Sequence, residues 1–308
     1  MTNAHGYPGA LPAAALALAA LAGCAHQPPG HPAGSSAKTA PSSTAPPQTG
    51  GRYSQDRDST PAGPPPDLSR IPEPVPKAEP PSQYGNKSPY TVLGETYRVL
   101  PNAKSYVERG IASWYGNKFH GYTTSTFEKY DMYAYSAAHK TLPLPSYARV
   151  TNLENGRSVI VRVNDRGPFV ANRVVDLSYV AAVKIGVWPK GTAMVEVRAI
   201  DPDHAEAEAV APPAVSARAG AAVAPGKAPK PALYLQVGAY AERANAERAA
   251  AAMRAAHLGD VRIIEAQVGG KTVQRVRLGP LADVETADRL TPKVRALGLG
   301  EPRVAIDD

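Results

Sequence analysis

The sequence predicts two small folded units carried on non-globular chain. Residues 87–200 read as a barrel of short β-strands and residues 232–308 as an α+β sandwich of order β-α-β-β-α-β. Three observations carry that reading. In the first region apolar residues alternate with the period of two that a pleated strand imposes. In the second, strand-period runs alternate with helix-period runs. Before and between the two regions, proline and alanine replace the large aliphatics that a core needs.

Taken from the N-terminus, the uncharged run Leu11 to Ala22 is too short to span a bilayer as a helix but suits the apolar core of an export signal. No Lys or Arg precedes it. Cys24, just after it, is the only cysteine, so the chain can form no intramolecular disulfide and no thiolate metal cluster. Leu21-Ala22-Gly23-Cys24 resembles the lipobox of bacterial lipoproteins, which implies removal of residues 1–23, acylation of Cys24 and attachment to a membrane. Ala25, where Asp would mark retention, implies sorting to the outer membrane, facing the periplasm. Residues 24–86 read as an extended disordered tether: Ala25 to Tyr84 hold 15 of the 32 prolines and only Leu68, Ile71 and Val75 among the large aliphatics. Residues 201–231, rich in Ala and Pro, read as a second disordered linker.

In the first folded region Val159, Val161 and Val163 point one way and Ile160 and Arg162 the other. Val195, Val197 and Ala199 repeat the pattern against Met194, Glu196 and Arg198. Asn155-Gly156 and Arg166-Gly167-Pro168 supply turns. One helix is predicted, capped by Asp176 or Ser178, facing the core through Ala181, Ala182 and Ile185, and ended by Gly186. Short strands with few helices imply a barrel.

Polar and aromatic chemistry gathers in the loops of this region. Trp114-Tyr115-Gly116 and Phe119-His120-Gly121-Tyr122 set aromatics beside glycines, an arrangement suited to stacking sugar rings; Glu128, Tyr130 and Asp131 follow. His139 sits in Ala137 to Pro145, and the strand ending at Val163 runs into Asn164-Asp165-Arg166-Gly167-Pro168. Asp165 at a strand end before a tight turn is held by rigid neighbours and open to a groove. His120 and His139 lack the third ligand of a zinc site, so neither metal nor cofactor is expected. The formal charge of +7 is scattered through both regions. With an export signal that argues against nucleic acid and for an anionic envelope polymer.

In the second region Leu233, Leu235 and Val237 alternate with Tyr234 and Gln236. A helix over about Arg243 to Ala256 carries an apolar stripe of Ala246, Ala249, Ala250 and Met253. Strands follow at Val261 to Ile264 and Thr272 to Leu278, then a helix over about Val284 to Ala296 and a strand at Val304 and Ile306. Helices on one sheet face leave the other for a ligand. Tyr234, Gln236, Arg275 and Arg277 fall on it by parity and suit a carbohydrate bearing carboxylates.

Gly110 to Gly116, Ala137 to Gly156 and Val161 to Pro168 together resemble the rare lipoprotein A (RlpA) family of lytic transglycosylases. The resemblance implies a double-psi β-barrel of six strands, related to expansins, whose groove cleaves peptidoglycan glycan strands lacking stem peptides and leaves 1,6-anhydro ends. It places the catalytic set on Asp165, Glu128 and His139. Asp165 is the expected general acid and then base, with a pKa raised by burial; Glu128 is expected to stabilise the oxocarbenium-like charge or assist proton transfer, and His139 to orient a carboxylate or sugar hydroxyl. Trp114, Tyr115, Tyr130, Asn164 and Arg166 are the expected substrate contacts. The chain departs from the family beside Glu128, where Thr126-Phe127 replaces a small polar residue and Gly; the change removes the residue suited to positive φ and adds a bulky ring. Leu235 to Tyr240 and Arg275 to Pro280 resemble the SPOR domain, which implies binding of denuded glycan at the division site by Tyr234, Gln236, Tyr240, Arg275 and Arg277. Division-site proteins are a further partner class. Two other readings stay open at this point: expansin-like glycan binding without cleavage, and a septal scaffold.

Overall fold

A computed structural model describes residues 59–204 and 231–307. The expected signal, Cys24, the first part of the expected tether and residues 205–230 of the expected linker lie outside the described residues. A short hairpin, β1 (Tyr90–Val92) with β2 (Glu95–Tyr97), precedes the barrel. Six strands close it: β3 (Val107–Tyr115), β4 (Ser136–His139), β5 (Ser146–Asn152), β6 (Ser158–Asp165), β7 (Arg173–Ser178) and β8 (Ala193–Ile200), in the order β3-β7-β4-β6-β5-β8. The pairs β3/β7 and β4/β6 are parallel and the others antiparallel.

Alternation decides what fills this barrel. Val159, Val161 and Val163 from β6, and Val195 and Val197 from β8, are almost wholly buried and join one core with Ala112, Ala137, Val175 and Leu177. Packing to that density is what makes the barrel wall rigid. The single barrel helix, α1 (Tyr179–Ile185), has Ser178 at its N-cap, and Gly186 ends it at φ 76, a left-handed C-cap that glycine adopts without penalty. Asp176, one of the two expected caps, lies instead within β7.

The tether boundary expected at residue 86 is corrected. Residues 59–86 lie on the barrel: Leu68 and Ile71 pack against its core, Glu73 accepts from the Ile160 N–H at 2.7 Å, and Glu79 takes both Arg162 Nε (2.9 Å) and Nη2 (2.8 Å). Asn86 exchanges two hydrogen bonds with the Leu144 backbone, at 2.7 and 2.8 Å. The segment has no core of its own, so composition alone marks it as unfolded. Its order comes from carboxylates and an amide docking on a surface already built, and a proline-stiffened chain has less entropy to lose in doing so.

The second unit forms a sheet of β9 (Ala232–Tyr240), β10 (Val261–Val268), β11 (Lys271–Leu281) and β12 (Arg303–Asp307), ordered β10-β11-β9-β12 and antiparallel throughout. Helices α2 (Arg243–Ala255) and α3 (Val284–Ala296) complete the predicted β-α-β-β-α-β order. The predicted stripe of Ala246, Ala249, Ala250 and Met253 is buried against Leu233, Leu235, Val276 and Leu278. Asp283 caps α3 through its side chain, accepting from Thr286 N–H at 2.7 Å.

Candidate active site

The outer face of the barrel carries the chemistry, and strand register assembles it. On β3 and β7, Ala112 pairs with Val175 and faces the core, so the next pair, Ser113 with Asp176, faces outward. On β4, Ala137 pairs with core-facing Leu177, so Ala138 opposite Asp176 also faces outward. A bulge at Asn164 in β6 then brings Asp165 opposite Ala138. Ser113, Asp176, Ala138 and Asp165 therefore stand in one row across four adjacent strands. The two carboxyl-bearing residues flank a methyl group, at strand spacings of about 4.8 Å on either side.

The two acids are held differently. Oδ1 of Asp165 accepts three hydrogen bonds, from Ser125 N–H at 2.8 Å, Ser125 Oγ at 2.6 Å and Arg166 N–H at 2.8 Å. Those donors fix the plane of the carboxyl and leave Oδ2 outside that set. Asp176 accepts from the Ser113 hydroxyl. Burial pushes its pKa up to about 6, which the Ser113 bond and the charges of Arg173 and Lys140 only partly oppose and the negative charge of Asp165 reinforces. Protein crowds this carboxyl while the residue as a whole is only half-buried. Asp176 is thus the acid that burial tunes toward neutral pH in this row. A period of two assigns a residue to a face but not to a register, so the alignment of Asp176 with Asp165 carries no local signal.

Glu128 stands beside the row. Its Oε2 accepts from Arg162 Nη1 and from Asn164 Nδ2, each at 2.7 Å. Burial raises its pKa, but those two donors outweigh it and hold the carboxyl below its ordinary value, so Glu128 is an anion. Arg162 bridges it to Glu79, whose pKa the guanidinium lowers to about 2. Asn164, expected to touch substrate, is buried and orients Glu128.

Several expected contacts are corrected. His139 is 2% exposed: Nδ1 accepts from the Thr141 and Leu142 N–H groups at 3.2 and 3.0 Å, which leaves Nε2–H to donate to the Tyr106 hydroxyl at 2.9 Å. Burial, then the charges of Arg166 and Lys140, lower its pKa to about 3, so it is a neutral loop-holder rather than part of the catalytic set. Arg166 is also buried. Its guanidinium donates to the carbonyls of Gly85 (2.7 Å), His139 (3.0 Å) and Leu142 (2.5 Å) and to Asn86 Oδ1 (3.1 Å), so it clamps three loops and has no face for sugar. Tyr115 and Tyr130 are core residues stacked at 4.0 Å, and Trp114 packs on Tyr179 at 5.9 Å. Two exposed rings do lie beside Glu128: Phe127, directly before it, and Tyr84, whose ring centroid is 4.1 Å from that of Phe127. Phe127 keeps a positive φ of 67 although it is not glycine, so the Glu128 loop retains its turn at a cost in strain.

On the second unit's open face, Tyr234 and Gln236 share a side with Arg275 and Arg277 as predicted. Arg277 is buried, pairs with Asp307 at 2.5 Å and lies 5.8 Å from the Tyr234 ring. Tyr240 is corrected. An extra residue at Val237 shifts the register so that Tyr240 pairs with Gln274, which shares the helix side with Val276, and Tyr240 packs on the apolar core there.

Residues 107–197 match the family DPBB_1, described as lytic transglycolase, and residues 229–302 match the SPOR domain. The chain is 41% identical over 283 residues to the endolytic peptidoglycan transglycosylase RlpA of Pseudomonas aeruginosa strain UCBPP-PA14, covering 79% of this chain and 82% of that one. The chain belongs to the RlpA family. The RlpA of Vibrio cholerae, also named an endolytic peptidoglycan transglycosylase, is 53% identical over 154 residues, half of this chain and 58% of that one. The crystal structure of the RlpA SPOR domain from P. aeruginosa is 33% identical and covers 24% of this chain and 96% of that one, with a TM-score of 0.23. Within this RlpA-family chain the lytic match spans every strand of the acid row.

Proposed function

We propose that this chain is an endolytic peptidoglycan transglycosylase that cleaves glycan strands lacking stem peptides. The observation that carries the reading is the outward row in which Asp176, with a pKa near 6, stands one strand from β4 and Asp165 on the other side of it. Asp176 donates its proton to the glycosidic oxygen as the C1–O bond breaks. The anionic Glu128, and Asp165 held by Ser125, face the positive charge that develops at the anomeric carbon. The muramic C6 hydroxyl then closes on C1, and its proton returns to the Asp176 carboxylate. No water is consumed and a 1,6-anhydro end results. Asp165, the acid expected from sequence, becomes in this account the positioned partner of Asp176. The proportions of products decide the matter: mass spectrometry of denuded strands incubated with the protein is expected to show anhydro ends, 18 Da lighter than hydrolytic ends. Strands retained but unbroken would leave only a glycan-binding protein.

The other modules serve this activity. Acylation of Cys24 would tether the enzyme to the outer membrane on its periplasmic side, and the SPOR unit would concentrate it on stripped septal glycan through avidity. The sequence pattern at Cys24 and the family match of residues 229–302 support this arrangement. Deleting residues 231–308 is expected to disperse a fluorescent fusion from the septum; a deletion protein that stays septal removes the SPOR unit from the account.

A further inference from the structure

Two aromatic rings beside the carboxyls have no role in the core. Phe127 is 65% exposed and Tyr84 45% exposed, and their rings lie 4.1 Å apart at an interplanar angle of 36°. Phe127 combines two unfavourable features: a left-handed backbone at φ 67 that a non-glycine residue adopts only under strain, and an apolar ring left in water. Both rings are also held in place. Ser125, two residues before Phe127, bonds Asp165, and Glu128 follows it directly. On the other side, Gly85 next to Tyr84 abuts the Ser125 carbonyl so closely that an added Cβ would lie 2.8 Å from it, and its own carbonyl accepts from Arg166.

We propose that Tyr84 and Phe127 form a stacking platform for a pyranose ring of the glycan strand, one subsite along from the bond that is cut. The inference rests on the reading of the outer face as a glycan groove. Flat rings take the apolar face of a sugar, and the exposed pair offers two such rings side by side. It depends on Phe127 and on the docking of residues 82–86 against the Leu144 backbone.

Phe127→Gly tests it in the full chain. The variant is expected to raise KM for denuded strands about tenfold, to leave kcat within about twofold, and to melt no lower than the parent, because glycine relieves the strained φ. Phe127→Trp is expected to restore KM. Placed on an Asp176→Asn background, Phe127→Trp also reports occupancy without turnover: added denuded strands should change the emission of that indole relative to the same background carrying Phe127. KM unchanged in Phe127→Gly, or no emission change, overturns the platform. If the indole responds while the parent yields no anhydro ends, the platform stands and the catalytic reading falls.

Discussion

Asp176→Asn is expected to lower strand cleavage by about three orders of magnitude, the upper range for loss of a general acid, and to make the protein more stable at pH 7. The two effects have one cause. Asn keeps the shape of the side chain and still accepts from Ser113, but cannot carry the proton that the leaving oxygen needs. Burial raises the carboxyl from 3.8 to about 6, so the folded state holds its proton more tightly than the unfolded state. The stability from that carboxyl is fully present below 3.8 and is lost as pH rises through 6. At pH 7 it is absent, a deficit of about 3 kcal/mol that an uncharged amide removes. Urea denaturation together with a turnover assay separates the alternatives, because an aspartate kept only for structure would lose stability on substitution and keep its turnover. Asp165→Asn is expected to lower turnover too, since the Ser125 and Arg166 donors would then hold an amide in place of the carboxyl beside Asp176.

Arg166→Met carries the second large effect, and it falls on the fold. The guanidinium satisfies carbonyls on Gly85, His139 and Leu142 and the Asn86 side chain, so its removal leaves buried acceptors without donors. Burial has lowered the pKa of Arg166 to about 10, which shows that enclosing the charge is itself unfavourable and that its bonds must offset the cost. The net loss is expected to be about 3 kcal/mol, read from the urea midpoint. Lys at this position is a poor substitute because one ammonium cannot reach four divergent acceptors. An Arg166→Met protein of unchanged stability and raised KM would return the residue to the substrate contacts expected from its motif.

Much of the architecture was legible before the structure. The alternation at Val159 to Val163 and Val195 to Ala199 located the barrel core, the Ala246 to Met253 stripe located the buried face of α2, and Ser178 and Gly186 bracketed α1. These are local signals, carried by residues within one or two turns or pleats of each other. The acid row is not local. It arises from parallel pairing of β3 with β7 and of β4 with β6, and from a one-residue bulge at Asn164, none of which a period reveals. His139 and Arg166 differ from expectation for a related reason: a polar side chain in a loop motif points equally to substrate or to scaffold, and only the distant partners Tyr106, Gly85 and Asn86 decide between them. Phe127 marks the reverse case. A bulky residue is unsuited to a left-handed turn, yet the positive φ is present at Phe127 and the ring is left on the surface.

The central claim is that Asp176 holds a proton that titrates near pH 6, well above an ordinary aspartate. Titration of its side-chain 13C resonance in the folded protein, assigned by its disappearance in Asp176→Asn, tests this most directly. The account predicts a midpoint near 6, with kcat/KM on denuded strands falling about tenfold per pH unit above that value. A midpoint near 3.8, with kcat/KM level through pH 7, would contradict it.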